Sequence, residues 1–126
     1  MRKALVLVDG ALVFADAWGG VRMLAGDSGE EIWGFQRQSW GDAALAVGDE
    51  LVYASGADGW LYALGRGDGR EVWRVRVGSR LGARPLVAAG RLYAPTSDGR
   101  LLVLDAELGV LLHALDIGAL APGGVY

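Results

Sequence analysis

An all-β chain of three tandem four-stranded antiparallel sheets is the fold class this sequence predicts. Three features lead to it. A 40-residue unit runs three times through the 126 residues without a gap: Gly19, Gly59 and Gly99 share one column, Gly29, Gly69 and Gly109 another, and Leu24, Leu64 and Leu104 a third. A fixed period in this range marks stacked or circular repeats. Each unit carries four apolar runs rich in Val, Leu, Tyr and Trp, separated by Gly/Asp turns, which is the pattern of an antiparallel meander. No segment offers a helical stripe of apolar residues of useful length between glycines.

The elements follow in order. Ala4 to Val8 is an apolar run closed by a turn at Asp9-Gly10, and Leu7 aligns with Val47 and Val87 in this first strand. Val13, Tyr53 and Tyr93 mark the second strand of each unit; Val21, Leu61 and Leu101 mark the third. Ile32, Val72 and Leu112 mark the fourth, next to Trp33 and Trp73, where the third unit has His113. The second unit repeats the four runs from Ala43 to Val75. The third reads Ala83 to Val87, a turn at Ala89-Gly90, Leu92 to Ala94, a turn at Ser97-Asp98-Gly99, Leu101 to Leu104, a turn ending at Gly109, and Val110 to Leu115. The units are expected over residues 4–37, 43–77 and 83–118, with 119–126 opening a linker, all in a single repeat domain.

Composition excludes several functions. The net charge of −3 is spread along the chain with no basic stripe, so nucleic acid finds no electrostatic footprint. With no cysteine there is no disulfide or thiol chemistry, and one histidine cannot form a His/Cys metal cluster. No apolar stretch reaches the length of a membrane helix. Met1-Arg2-Lys3, the run after it and Ala15-Asp16-Ala17 imitate a short signal peptide. Cleavage there would remove two strands of the first unit, so the N-terminus is expected to belong to the fold, which favours the cytoplasm.

The run Tyr53-Ala54, Asp58-Gly59, Leu61-Tyr62-Ala63-Leu64, then Gly69 and Trp73 resembles the quinoprotein-type (pyrroloquinoline-quinone-like) β-propeller repeat. That family's docking motif runs Ala-x-Asp-x-x-x-Gly-x-x-x-Trp over the last two strands of a blade. Its positions hold Met23, Ala25, Gly29 and Trp33 in the first unit, Ala63, Gly65, Gly69 and Trp73 in the second, and Val103, Asp105, Gly109 and His113 in the third. The resemblance implies that each sheet is a propeller blade and that Trp33, Trp73, His113, Gly29, Gly69 and Gly109 pack blades together. It also implies a periplasmic or other extracytoplasmic alternative, since relatives include a propeller lipoprotein of outer-membrane barrel assembly and sensor domains of bacterial kinases. Quinoprotein dehydrogenases of the family use the quinone with calcium, acidic and Asn ligands, and often an adjacent cysteine pair. This chain has no Asn and no Cys, so no cofactor, no metal and no enzymatic activity are expected.

Three blades are fewer than the usual 4–8 of a closed propeller. An open arc would leave two end faces; at on the order of 500 Å² each and mostly apolar, about 10 kcal/mol per face stays unrealised. Completion from outside these three units is therefore expected, by a second copy giving six blades, by another chain that supplies blades, or by further blades of a larger protein of which this chain is a fragment. The Asp-Gly pairs read as turn chemistry rather than ligands. Trp18, Trp40, Arg37, Arg80 and Arg84 fall in or near the loops of one rim and form the candidate binding set, Trp and Arg being favoured anchors of binding surfaces. The expected function is a non-catalytic assembly scaffold that binds protein. The alternatives are a sensory or small-ligand module and, behind it, a fragment of a quinone-dependent dehydrogenase.

Overall fold

A computed structural model describes residues 4–16, 18–37, 43–56 and 59–117, and these contain twelve strands and no helix. The first sheet holds β1 (Ala4–Val8), β2 (Ala11–Ala15), β3 (Gly20–Ala25) and β4 (Glu31–Gln36). The second holds β5 (Leu45–Val47), β6 (Leu51–Ser55), β7 (Trp60–Gly65) and β8 (Glu71–Arg76). The third holds β9 (Leu86–Ala88), β10 (Arg91–Pro95), β11 (Arg100–Asp105) and β12 (Leu111–Asp116). Each sheet is an antiparallel meander in chain order. The sheets touch through their first strands, β1 with β5 and β5 with β9, so these lie innermost in an open arc.

Strand alternation decides what each blade buries. In blade 2, Val52, Ala54, Tyr62 and Leu64 point to blade 1 and join Val13, Ala15, Val21, Met23 and Trp33 in one core. Their neighbours Tyr53, Leu61 and Ala63 point the other way and join Leu92, Ala94, Leu102 and Leu104 in a second core. Side chains one residue apart on a strand face opposite sides of the sheet, so blade 2 is apolar on both faces. Blades 1 and 3 bury one face each. Leu7 on blade 1 is 71% exposed, and Leu86 on blade 3 is 61% exposed.

The 40-residue period is legible in the hydrogen bonds. At the end of the fourth strand, the amides of Arg37, Val77 and Ile117 donate to the carbonyls of Gly19, Gly59 and Gly99 at 2.7, 2.7 and 2.9 Å. A bulge recurs as well. Met23 pairs with Trp33 but Leu24 pairs with Glu31, and the same shift occurs at Ala63/Leu64 and Val103/Leu104. The extra residue is Ile32, Val72 or Leu112, the apolar column that the sequence places in the fourth strand. A bulge lets two residues oppose one and re-aims the side chain beside it.

Candidate functional site

Two junctions hold the arc together, and they are built alike. The Trp33 indole reaches from β4 to blade 2 and donates from Nε1 to the Arg66 carbonyl at 2.7 Å. The Trp73 indole reaches from β8 to blade 3 and donates to the Ala106 carbonyl at 3.3 Å. Each ring lies on a glycine: a Cβ on Gly69 would sit 2.5 Å from Trp33, and one on Gly109 would sit 2.5 Å from Trp73. Both glycines have φ near +70°, where other residues are strained. The glycine therefore serves the turn and the neighbouring blade at once.

Further ties are particular to each junction. Phe35 and Tyr62 meet across the first with ring centroids 5.7 Å apart; Tyr53 and Trp73 meet at 5.9 Å beside the second. The Tyr53 hydroxyl donates to the Ala106 carbonyl at 2.8 Å. Burial pushes its pKa up from 10.0 to about 12, with the charges of Glu107 and Asp105 adding to the shift. Arg66 of blade 2 pairs with Asp9 of blade 1, and Arg100 of blade 3 donates to the Val77 carbonyl at 2.8 Å. Asp98 is held below the ordinary carboxylate value by the Thr96 hydroxyl and then by Arg100.

At the ends, the same columns meet nothing. A Cβ on Gly29 would touch no atom within 4 Å, and every side chain of β12 is exposed, His113 among them. His113 stands in the tryptophan column of the third blade.

The rim set expected from the sequence divides. Trp18 lies in the β2–β3 turn and is 61% exposed. Its amide donates to Asp16 Oδ1, and its carbonyl accepts from Gln36 Nε2. Arg37 departs from the expectation of an exposed anchor: it is only 2% exposed. Its guanidinium donates to the carbonyls of Gly19, Ser55 and Asp16 at 3.3, 3.1 and 2.8 Å. It thus ties the Trp18 turn to blade 2, because a buried guanidinium must satisfy its donors. Arg80 is exposed, and its carbonyl accepts from the amide of Ser97 in the β10–β11 turn. Arg84 is exposed and lines a different feature, described next. Trp40 lies outside the described residues. Trp60 is covered by the guanidinium groups of Arg74 and Arg76, 5.9 and 5.6 Å from its ring.

A groove of about 520 Å³ runs along the inner strands, between Val6–Asp9, Leu45–Asp49 and Arg84–Val87, with Arg66 on its wall. Sequence reasoning missed it, because its lining comes from three units and mostly from turn and first-strand positions. The recurrence of those positions every 40 residues was the available signal. The turn aspartates act on backbone: Asp16, Asp68 and Asp105 each accept amide hydrogen bonds within their own turns. Asp58 lies outside the described residues. Among the described residues no three His, Cys, Asp or Glu side chains are grouped to hold a metal ion.

A family model described as outer membrane protein assembly factor BamB matches residues 17–121. The outer membrane protein assembly factor BamB of Burkholderia pseudomallei is 27% identical over 106 residues, covering 82% of this chain and 27% of that protein. Its namesake from Salmonella typhimurium is 32% identical over 95 residues, covering 68% of this chain and 24% of that protein. The chain thus spans about a quarter of the length of these curated relatives. The crystal structure of BamB from Moraxella catarrhalis superposes with a TM-score of 0.71 at 23% identity, over 87% of this chain and 38% of that one. The quinohemoprotein alcohol dehydrogenase from Comamonas testosteroni superposes with a TM-score of 0.72 at 23% identity, over 88% of this chain and 20% of that one. These structures share the propeller-type fold.

Proposed function

Since the chain belongs to the family described as outer membrane protein assembly factor BamB, we propose that it is a non-catalytic propeller arc that works as a protein-interaction and assembly scaffold. The observation that carries this reading is the repeated junction: Trp33 on Gly69 and Trp73 on Gly109 lock three blades into a stiff unit, and the described residues expose apolar side chains such as Leu7, Leu86, Leu111 and Leu115. Exposed apolar faces of this kind mark interaction surfaces. The relatives named as outer membrane protein assembly factors support protein partners. They also support an extracytoplasmic place over the cytoplasm that the N-terminus suggested.

Cells depleted of the protein are expected to carry less of their outer membrane proteins in the membrane fraction, with recovery on re-expression. Unchanged levels would overturn the assembly role. A dehydrogenase fragment would bind quinone with Ca²⁺ and reduce a dye in the presence of an alcohol; neither binding nor turnover is expected here.

A second reading, a small-ligand module, is favoured by the inner groove. Its wall places Arg66 and Arg84 with Asp9 and Asp49 around an apolar floor. Alanine at Arg84 is expected to leave outer membrane protein levels unchanged under the scaffold reading.

A further inference from the structure

We propose that a pocket between blades 2 and 3 binds an arginine side chain of a partner polypeptide, its guanidinium taking the place that Arg66 fills between blades 1 and 2. This contact rests on the scaffold reading above and gives one partner contact its chemistry.

The first junction shows what this part of the repeat can hold. Arg66 follows β7 and returns over the β5–β6 turn, where Nη1 donates to the carbonyls of Gly48 and Asp49 at 3.1 and 3.2 Å. Its Nη2 reaches back to blade 1 and pairs with the carboxylate of Asp9 in the β1–β2 turn. One guanidinium thus joins a turn of its own blade to an acid of the blade before it.

Forty residues on, the backbone repeats and the charge does not. The Ala106 amide donates to the Gly90 carbonyl as the Arg66 amide donates to that of Glu50. The Ala106 carbonyl accepts from the Trp73 indole as the Arg66 carbonyl accepts from Trp33. The side chain, however, has shrunk from a guanidinium to a methyl group. In the Asp9 column stands Asp49, and two acids enter where the first junction has glycine: Glu50 in the Gly10 column and Glu107 in the Gly67 column. Among the described residues these three exposed carboxylates enter no ion pair. They line a pocket of about 550 Å³ whose apolar wall includes Leu51, Val72 and Val87.

The second junction has therefore lost the cation and gained acids at a place where the first seats an arginine. Both walls of the pocket belong to the Trp73 junction, inside the arc. The negative charge reaches Tyr53 on the same wall, where Glu107 and Asp105 add to the rise in pKa that burial begins. No three acids among the described residues are grouped to hold a metal ion, so the set suits a broader cation. A guanidinium is one: its planar fork spreads several donors, and its aliphatic stem lies along apolar surface.

The full chain, isotope-labelled for heteronuclear NMR, is titrated with acetyl-Gly-Arg-Gly-amide and with the same peptide carrying citrulline, which keeps the shape and loses the charge. The arginine peptide is expected to move the amide signals of Asp49, Gly90 and Glu107 to saturation, and the citrulline peptide to leave them in place. Asp49→Asn is expected to weaken the binding about five-fold. Ala106→Arg supplies the guanidinium from within the chain; it is expected to abolish peptide binding and to raise the thermal unfolding midpoint by about 3 °C. Should Ala106→Arg fail to fold, Asp49→Asn carries the test by itself. The absence of saturable shifts, shifts confined to other parts of the molecule, an equal response to the citrulline peptide, or binding unchanged by Asp49→Asn would each overturn the proposal. Each of these leaves the assembly role to its own depletion test.

Discussion

Arg37 combines a full charge with burial, and its guanidinium donates to three carbonyls of two blades. Leucine there leaves those carbonyls short of donors, and Arg37→Leu is expected to cost about 3 kcal/mol of unfolding free energy by denaturant titration. Lysine recovers only part, since one ammonium cannot span the fork of a guanidinium. The burial was not legible in the sequence, where an arginine after a strand reads as a solvated loop residue; the deciding carbonyls come from the β2–β3 turn region and from the end of β6, 18 and 21 residues away. Tyr53 carries a pH signature of its own. Its folded pKa, about 12, lies above the ordinary 10.0, so its contribution is complete below about pH 10 and is lost as pH rises toward 12. Tyr53→Phe should cost about 1 kcal/mol at neutral pH and flatten the alkaline slope of stability relative to wild type. Equal slopes in both proteins would mean that the hydroxyl does not titrate against the fold.

At the scale of the element, the β3–β4-type turn occurs three times with one backbone and two environments. Gly29, Gly69 and Gly109 have φ of +74°, +74° and +72°. Alanine at any of them carries the same left-handed strain, on the order of 1 kcal/mol. At Gly69 and Gly109 the added Cβ also collides with an indole, so those variants are expected to lose about 3 kcal/mol or more. Thermal unfolding of the isolated chain should rank Gly29→Ala well above the other two, and equal losses would show that the indoles do not rest on the glycines. Most of this level was readable in advance: the Trp33 and Trp73 columns, the glycine columns and the strand order all follow from periodicity. The bulge beside each tryptophan was not, because Ile32, Val72 and Leu112 look like ordinary inward strand residues, whereas Ile32 and Val72 are half-exposed.

For the whole molecule, stability should follow position in the arc. A repeat array sums nearest-neighbour contacts, and blade 2 has two neighbours where blades 1 and 3 have one. Hydrogen exchange is expected to protect β6 and β7 most and β1 and β12 least, with uniform protection counting against it. The three-sheet architecture and its openness were visible in length and period alone; the inner groove needed the arc itself, since no single unit contains it. The junction also has a consequence for how such proteins can grow. Its tryptophan reads a main-chain carbonyl and a bare α-carbon, and the residues that own the carbonyls, Arg66 and Ala106, have nothing in common as side chains. A gene segment encoding one blade can thus be duplicated or transplanted without a matching change in its new neighbour. Lineages can alter ring size by recombination first and adjust the exposed loops afterwards.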